Sequence, residues 1–273
     1  MDIKYVWINE EVMDDFKVIM PWELIVDADN ICLAAMDDAD DIMGVICYGC
    51  ADYQVDILWL YVLPRYRRQK VATSLLDKMR QLLIKSGQIY PITARFQADD
   101  EILYLFFLSY EGMEVTYSHE RYVLKPNDIY KGRYPMITGK ESLKEVKFFD
   151  LPKGVQQNIL RMLSDEEGFV TGDYEEWKRN LVPELCRCIM RNDEPLSLIF
   201  IHRLSEKELE LSYLYSVNPV ALGEIIAGAA ADIEQYYPNC KLIFDAVNEK
   251  ATAIAKKIYP KMKSVPVYEA ELI

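Results

Sequence analysis

The feature that most constrains the fold is an order of predicted elements that occurs twice along the 273 residues. Two strands, a helix, a strand, a second helix and a closing strand are predicted over residues 42–126 and again over 195–272. Repetition of this kind indicates two like domains. We therefore predict an α/β fold of the α+β type with mixed sheets, divided into a first domain over 1–128, a linker over 129–143 and a second domain over 144–273.

Helices are also predicted ahead of each repeated segment. Asn9 and the acidic residues after it are typical of a helix start and predict a helix over 9–20. Helical spacing of apolar residues predicts two more, over 153–164 and 173–191.

Charge and composition exclude several classes of function. The chain has 44 acidic and 31 basic residues, a formal net charge of −13, which argues against non-specific nucleic-acid binding. The first residues are acidic where a signal peptide is basic and then apolar, and no apolar run is long enough to span a membrane. We therefore expect a cytoplasmic protein that binds neither membrane nor nucleic acid.

The six cysteines show no spacing typical of a disulfide framework or a metal site. Cys47 and Cys50 form a CxxC pair, but this pair lies within a predicted strand. Successive strand residues point to opposite faces, so two thiols three positions apart are expected on different sides of the sheet. We interpret the cysteines as ordinary strand and core residues, and no metal is predicted.

Residues 64–79, PRYRRQKVATSLLDKM, contain a turn rich in basic residues, which suggests a ligand. The strand predicted over 55–63 leads into this turn, and a helix is predicted over 68–86. The first backbone N–H groups of a helix have no intrahelical partner and attract anions, phosphates above all. Cations are disfavoured there by the helix dipole, so a cluster of them indicates a bound anion. The alternative is a solvated basic helix start.

Residues 62–76, VLPRYRRQKVATSLL, resemble the acyl-CoA-binding segment of the GNAT acetyltransferase superfamily. That segment reads Val-x-Pro-x-Tyr-Arg, then (Gln/Arg)-x-x-Gly-x-(Gly/Ala) and a Leu-Leu helix. The second part corresponds here to Arg67-x-x-Lys70-x-Ala72, with lysine in the place of the glycine. The sequence YEGMEV at 110–115 is similar to the family's Gly-Phe corner, and the order of elements over about 1–126 is also that of the family.

The resemblance implies that acetyl-CoA is a cosubstrate, held between two splayed strands. Its pantetheine arm would pair with the strand end at Leu60, Tyr61 and Val62. The backbone amides around its pyrophosphate would come from one continuous stretch: Arg67, Arg68, Gln69, Lys70, Val71, Ala72 and Thr73.

Two residues are predicted to act in catalysis. The proton of an amine can be accepted by a carboxylate or by a water chain. Asp56, on the central strand, is the leading candidate base, with Asp52 on the preceding strand behind it; the alternative is that both are turn acids of the hairpin. In many members of the family a tyrosine four residues before the corner glycine protonates the thiolate. Leu108 stands at that place, and Tyr104, one helical turn earlier, is the candidate acid.

The implied activity is N-acetyl transfer by direct attack of an amine on the thioester. The acceptor would be a small molecule or a peptide, and the chain is compatible with a homodimer. The second domain resembles a degenerate GNAT domain, because its corresponding turn, 216–233, lacks basic residues. Three alternatives stay open: a tandem transferase that uses aminoacyl-tRNA, a catalytically impaired pair that serves as an acyl-CoA sensor or protein-interaction module, and a second domain that also binds CoA.

Overall fold

A computed structural model of the chain describes residues 3–51, 53–88, 90–125, 128, 144–164, 166, 169, 174–192, 194–258 and 261–272. It has two compact units. The first comprises Met1–Ser118 and Pro266–Ile273, and the second His119–Val265. Both contain a mixed sheet and helices, so the predicted α/β class with two like halves is confirmed. Within the described part of the chain, no helix is both long and apolar enough to cross a membrane.

The first unit begins with a meander and ends with two strand-to-helix crossings. In chain order its elements are β1 (Lys4–Ile8), a 3-10 turn (Met13–Asp15), α1 (Trp22–Val26), β2 (Asn30–Met36), β3 (Ile42–Ala51), β4 (Gln54–Val62), a 3-10 turn (Pro64–Tyr66), α2 (Val71–Lys85), β5 (Ile92–Gln97) and α3 (Glu101–Ser109). Residues 113–118 of β6 (Met113–Leu124) and residues 266–272 of β12 (Ser264–Leu272) also belong to it.

The sheet of the first unit runs in the order β1-β2-β3-β4-β5-β12. Only β4 and β5 are parallel; the other neighbours are antiparallel. The helix α2 buries one apolar stripe against the sheet, formed by Val71, Leu75, Leu76, Met79 and Leu83. Together with α3 it covers one face of the sheet, whereas α1 and the first 3-10 turn cover the other. The predicted amphipathic helix is therefore confirmed, with Gly87 at φ +77° after its end.

The second unit repeats this architecture. Its elements are residues 119–124 of β6, β7 (Lys144–Lys147), α4 (Lys153–Leu163), α5 (Tyr174–Arg179), β8 (Arg187–Arg191), β9 (Glu194–Ser205), β10 (Glu208–Ser216), α6 (Pro219–Tyr236), β11 (Lys241–Ala246) and α7 (Glu249–Ile258). Its strands run in the order β6-β11-β10-β9-β8-β7, and only β10 and β11 are parallel. The one parallel pair of each unit thus follows the same strand–helix–strand crossing.

A partly buried ion pair joins neighbouring strands of the second unit. The guanidinium of Arg121 on β6 donates to both carboxylate oxygens of Asp245 on β11, at 2.7 and 2.6 Å, and His119 Nε2 lies 3.3 Å from Asp245 Oδ2. Burial by itself raises the pKa of Asp245, but the hydrogen bonds from Arg121 and His119 outweigh it and lower this pKa to about 2. The carboxylate is therefore charged at neutral pH and holds the two strands together.

Several predicted boundaries differ from the structure. The helix predicted over 9–20 is wrong, since this stretch has only the 3-10 turn Met13–Asp15 and the short α1 follows it. The helix predicted over 173–191 is wrong beyond Arg179, because the chain then becomes extended and forms β8. The last strand, assigned to the domain 144–273, pairs with β5 through residues 267–272 and lies in the first unit. The linker 129–143 lies outside the described residues.

Candidate functional site

The central strand β4 has a bulge that separates it from its neighbour. Cys47 on β3 pairs with Trp59 and the next residue, Tyr48, pairs with Ile57, so Leu58 has no partner. On its other side, β4 pairs with β5 over only three residues, 55–57 with 92–94. Because a bulge bends its strand and increases the local twist, the ends of β4 and β5 diverge and leave a gap between them.

The basic turn after β4 makes defined contacts with its own unit. Arg65 lies 3.3 Å from Asp41 in the turn between β2 and β3, and the hydroxyl of Tyr66 donates to Asp37 in the same turn at 2.8 Å. Arg67 Nε donates to the carbonyl of Val62 at 3.0 Å. Part of the positive charge is therefore balanced by an acidic turn, and Arg67 holds the end of β4.

The backbone of the turn is left-handed at two residues that are not glycine. Arg68 and Lys70 have φ values of +63° and +64°. Lys70 immediately precedes α2 and its side chain makes no capping hydrogen bond, so the first N–H groups of this helix are not used by a cap. Lys70, at the place where the family motif has glycine, thus adopts a backbone conformation that glycine reaches most easily.

A cavity of about 430 Å³ opens in front of these amides. Every residue predicted to bind the cosubstrate lines this cavity except Gln69. The side-chain Nε2 of Gln69 donates to the carbonyl of Arg65 at 2.9 Å. Further lining residues, which the sequence did not indicate, are Tyr66, Asp100, Ile102, Leu103, Leu105, Phe106 and Ser109. The cavity is therefore cationic with free amides at one end and apolar along α3.

A second cavity, of about 490 Å³, lies in the gap between β4 and β5. It shares Leu60, Tyr61, Asp100 and Leu103 with the first, so the two adjoin. Its walls are mostly apolar and aromatic, and its charged residues are Arg95, Asp99 and Asp100. Arg95 Nε lies 2.6 Å from Glu269, which balances its charge.

Asp100 lies at the junction of the two cavities. It precedes α3, where its Oδ1 accepts from the N–H of Leu103 at 3.0 Å. It is the acidic residue common to both linings. In the sequence, Asp100 belongs to a group of acidic residues at a predicted helix start. Helix capping by itself explains such residues, so the sequence did not indicate that Asp100 lines a cavity.

The two predicted catalytic residues lie outside both linings. The carboxylate of Asp56 accepts from Gln54 Nε2 at 2.6 Å and from the hydroxyl of Thr93, in a polar cluster where β4 and β5 are paired. Tyr104 packs against Phe96 and Tyr268, with ring centroids 6.3 and 5.1 Å apart. Their catalytic roles stay predictions, and Asp52, the second candidate base, lies outside the described residues.

The corresponding helix start in the second unit is different. The side chain of Asn218 caps α6 by accepting from the N–H groups of Val220 and Ala221, at 2.9 and 3.0 Å. These amides are therefore occupied within the chain.

Among the residues that the structure describes in either unit, no group of three or more His, Cys, Asp or Glu is arranged to hold a metal ion.

Comparison with known proteins identifies the fold. Residues 28–105 match the family profile described as an acetyltransferase (GNAT) domain, while no curated protein gives a significant match. A tandem GNAT protein from the clavulanic acid biosynthesis pathway is similar over 99% of this chain and 98% of its own, with 12% identity and a TM-score of 0.68.

Other solved structures agree. A GCN5-related N-acetyltransferase from Sphaerobacter thermophilus is similar over 96% of this chain and 84% of its own, with 13% identity and a TM-score of 0.58. A glucosamine N-acetyltransferase region of a fungal multi-domain β-N-acetylglucosaminidase covers 99% of this chain and 38% of its own, with 11% identity and a TM-score of 0.66. The resemblance found in the sequence is confirmed: residues 28–105 match a GNAT acetyltransferase domain, and the chain has the fold of tandem GNAT proteins.

Proposed function

We propose that this protein is an acetyl-CoA-dependent N-acyltransferase whose donor site is the first cavity. The observation that carries the proposal is the combination of uncapped amides at the start of α2, two cationic side chains from Arg68 and Lys70, and an apolar wall along α3. The amides and cations suit a pyrophosphate. The apolar wall suits the pantetheine arm, and the end of β4 offers unpaired backbone groups beside it.

The gap between β4 and β5 supports a binding site for the acceptor amine. When bound, acetyl-CoA supplies a thioester whose carbonyl carbon accepts an amine nitrogen while the carbon–sulfur bond breaks. The second cavity would hold the amine, whose proton has to pass to a base. Asp100 lines both cavities and supports this role by its position, whereas Asp56 is the base predicted from the sequence. The acceptor is proposed to be an amine of a small molecule or a peptide.

Binding is tested by a thermal-shift titration with acetyl-CoA and with free CoA. Arg68→Gln removes a cation from the cavity and should weaken CoA binding about ten-fold, the value of one charged hydrogen bond. Arg65→Gln is the matched control, because Arg65 belongs to the same turn but does not line the cavity. Arg67 is unsuitable since it supports the carbonyl of Val62. An equal loss in both variants, or no stabilisation of the wild type, would contradict the proposed donor site.

Catalysis is tested by thiol release from acetyl-CoA over a panel of amines. Asp100→Asn keeps a helix cap, since asparagine caps as well as aspartate, but removes the basic carboxylate. Asp56→Asn is the parallel variant for the other candidate. The variant that lowers kcat while leaving CoA binding unchanged identifies the base.

A second candidate function is acyl-CoA binding without catalysis. It is favoured by two observations: neither Asp56 nor Tyr104 lines the first or the second cavity, and Leu108, where many family members have tyrosine, is 56% exposed. CoA binding without turnover of any amine would support this function over the enzymatic one.

A further inference from the structure

Two buried cysteines of the first unit face each other across a strand pair. Cys32 on β2 is the direct partner of Cys47 on β3, and their Sγ atoms are 3.0 Å apart. Both are free thiols. Directly opposed residues of antiparallel strands have Cα atoms about 4.5–5.5 Å apart, within the range that a disulfide spans. We propose that Cys32 and Cys47 are a modification site that forms a reversible cross-strand disulfide.

The fold brings Cys47 together with Cys32 rather than with Cys50, which is nearer to it in sequence. Cys47 belongs to the core cluster on the α1 side of the sheet, together with Cys32. Cys50 packs against the cluster on the side of α2 and α3. The predicted opposite orientation of the CxxC thiols is therefore confirmed, and Cys47 can reach Cys32 but not Cys50 while the sheet is intact.

The two thiols are not equivalent. The hydrogen bond between them lowers the pKa of Cys32 and raises the pKa of Cys47, so Cys32 is the thiol that reacts first. Its thiolate attacks one sulfur of a small-molecule disulfide and releases one thiol. Cys47 then loses its proton and attacks the Cys32 sulfur of this mixed disulfide, which releases the second thiol. Two electrons pass from the cysteine pair to the reagent, which is reduced to two thiols.

The location of the pair connects it to the second cavity. Cys47 pairs with Trp59 on β4, next to the bulge, and Trp59 lines that cavity. The carbonyl of Leu24 in α1 accepts from Cys32 Sγ at 3.6 Å, so α1 closes over the pair. The disulfide would tie β2 to β3 at the residue opposite Trp59, and because both thiols are buried, its formation should be slow.

The experiment compares the folded and the unfolded chain in buffers of oxidised and reduced dithiothreitol. Free thiols are alkylated after acid quenching, and linked peptides are found by mass spectrometry. Digestion before aspartate and after aromatic residues separates all three cysteines, because Asp37 lies between Cys32 and Cys47 and Tyr48 between Cys47 and Cys50. The folded chain should give the Cys32–Cys47 linkage, lost on adding reduced dithiothreitol.

In urea, Cys47 should instead pair with Cys50 more often than with Cys32, because sequence distance then decides between these two partners and the shorter loop costs less entropy to close. Cys50→Ser should keep the linkage of the folded chain and Cys32→Ser should abolish it. The proposal is overturned if folded protein gives Cys47–Cys50, or if Cys32 and Cys47 are both alkylated in the most oxidising buffer. None of these outcomes depends on whether the protein binds CoA.

Discussion

Replacing Lys70 by glycine should make the protein more stable. A side chain in the left-handed region costs about 1–2 kcal/mol because its Cβ crowds the following carbonyl, and Lys70 has φ +64°. Glycine removes this cost but loses about 0.5–1 kcal/mol through the greater freedom of the unfolded chain. The net gain is therefore about 0–1.5 kcal/mol, with a midpoint of about 0.75 kcal/mol, which for a chain of this size raises Tm by roughly 2–3 °C.

The matched control is Lys70→Ala. It removes the same positive charge and the same long side chain but keeps the Cβ atom, so the left-handed cost stays. Equilibrium urea unfolding of the two variants then isolates the backbone effect. If Lys70→Gly is no more stable than Lys70→Ala, the residue is not held at positive φ and the reasoning is refuted.

The same two variants separate charge from backbone in ligand binding. Both lack the cation of Lys70, which lines the first cavity. An equal loss of CoA affinity would assign the effect to the charge. Tighter binding by the glycine variant would show that Cβ limits the approach of the pyrophosphate to the amides.

Three further perturbations test other parts of the structure. Gly44→Ala should lower the free energy of unfolding by about 1–3 kcal/mol and weaken CoA binding, because the added Cβ would lie 2.7 Å from the carbonyl oxygen of Tyr61. Gly154→Ala is the control in urea unfolding, since a Cβ added there has nothing within 4 Å. The pKa of Asp245 is lowered to about 2, so its stabilisation is present above the unfolded pKa, about 3.9, and is lost as pH falls towards 2. Asp245→Asn should therefore be destabilising at pH 7 in urea unfolding, and the difference from wild type should shrink between pH 4 and 2; a constant difference would contradict the assignment. Asn218→Ala should lower the free energy of unfolding by about 1 kcal/mol, whereas Asn218→Ser keeps the cap. Because Asn218 occupies the first amides of α6, titration calorimetry of the wild type should give one CoA site per chain. Two equal sites would contradict this expectation.

Much of the fold could be predicted because strands and helices of the repeated segments follow local side-chain periodicity. The failures have physical reasons. Pro183 lies within the helix predicted over 173–191 and removes a helical hydrogen bond, so the apolar residues after it are free to form β8. The strand β12 pairs with β5, and this pairing depends on contacts between residues far apart in sequence. Arg95 and Glu269, for example, are 174 positions apart. Local periodicity does not encode such contacts.

The candidate site could be predicted where it depends on chain continuity. The end of β4 and the start of α2 follow one another directly, so their residues surround one cavity. The lining from α3, and above all Asp100, comes from a separate element and has no distinctive local pattern. The charge argument was incomplete for the same reason, since Asp41 balances Arg65 from a turn more than twenty residues away.

The two units share a fold but differ in how the helix after the central strand begins. Both have a helix that follows the central strand, and both helices begin with amides that lack intrahelical partners. In α6 the side chain of Asn218 occupies two of these amides, and the turn before it has no cation. In α2 the preceding residue, Lys70, gives no cap and brings a positive charge instead. Because an anion and a capping side chain compete for the same N–H groups, the residue before the helix decides whether the helix start is closed by its own chain or stays available to a ligand.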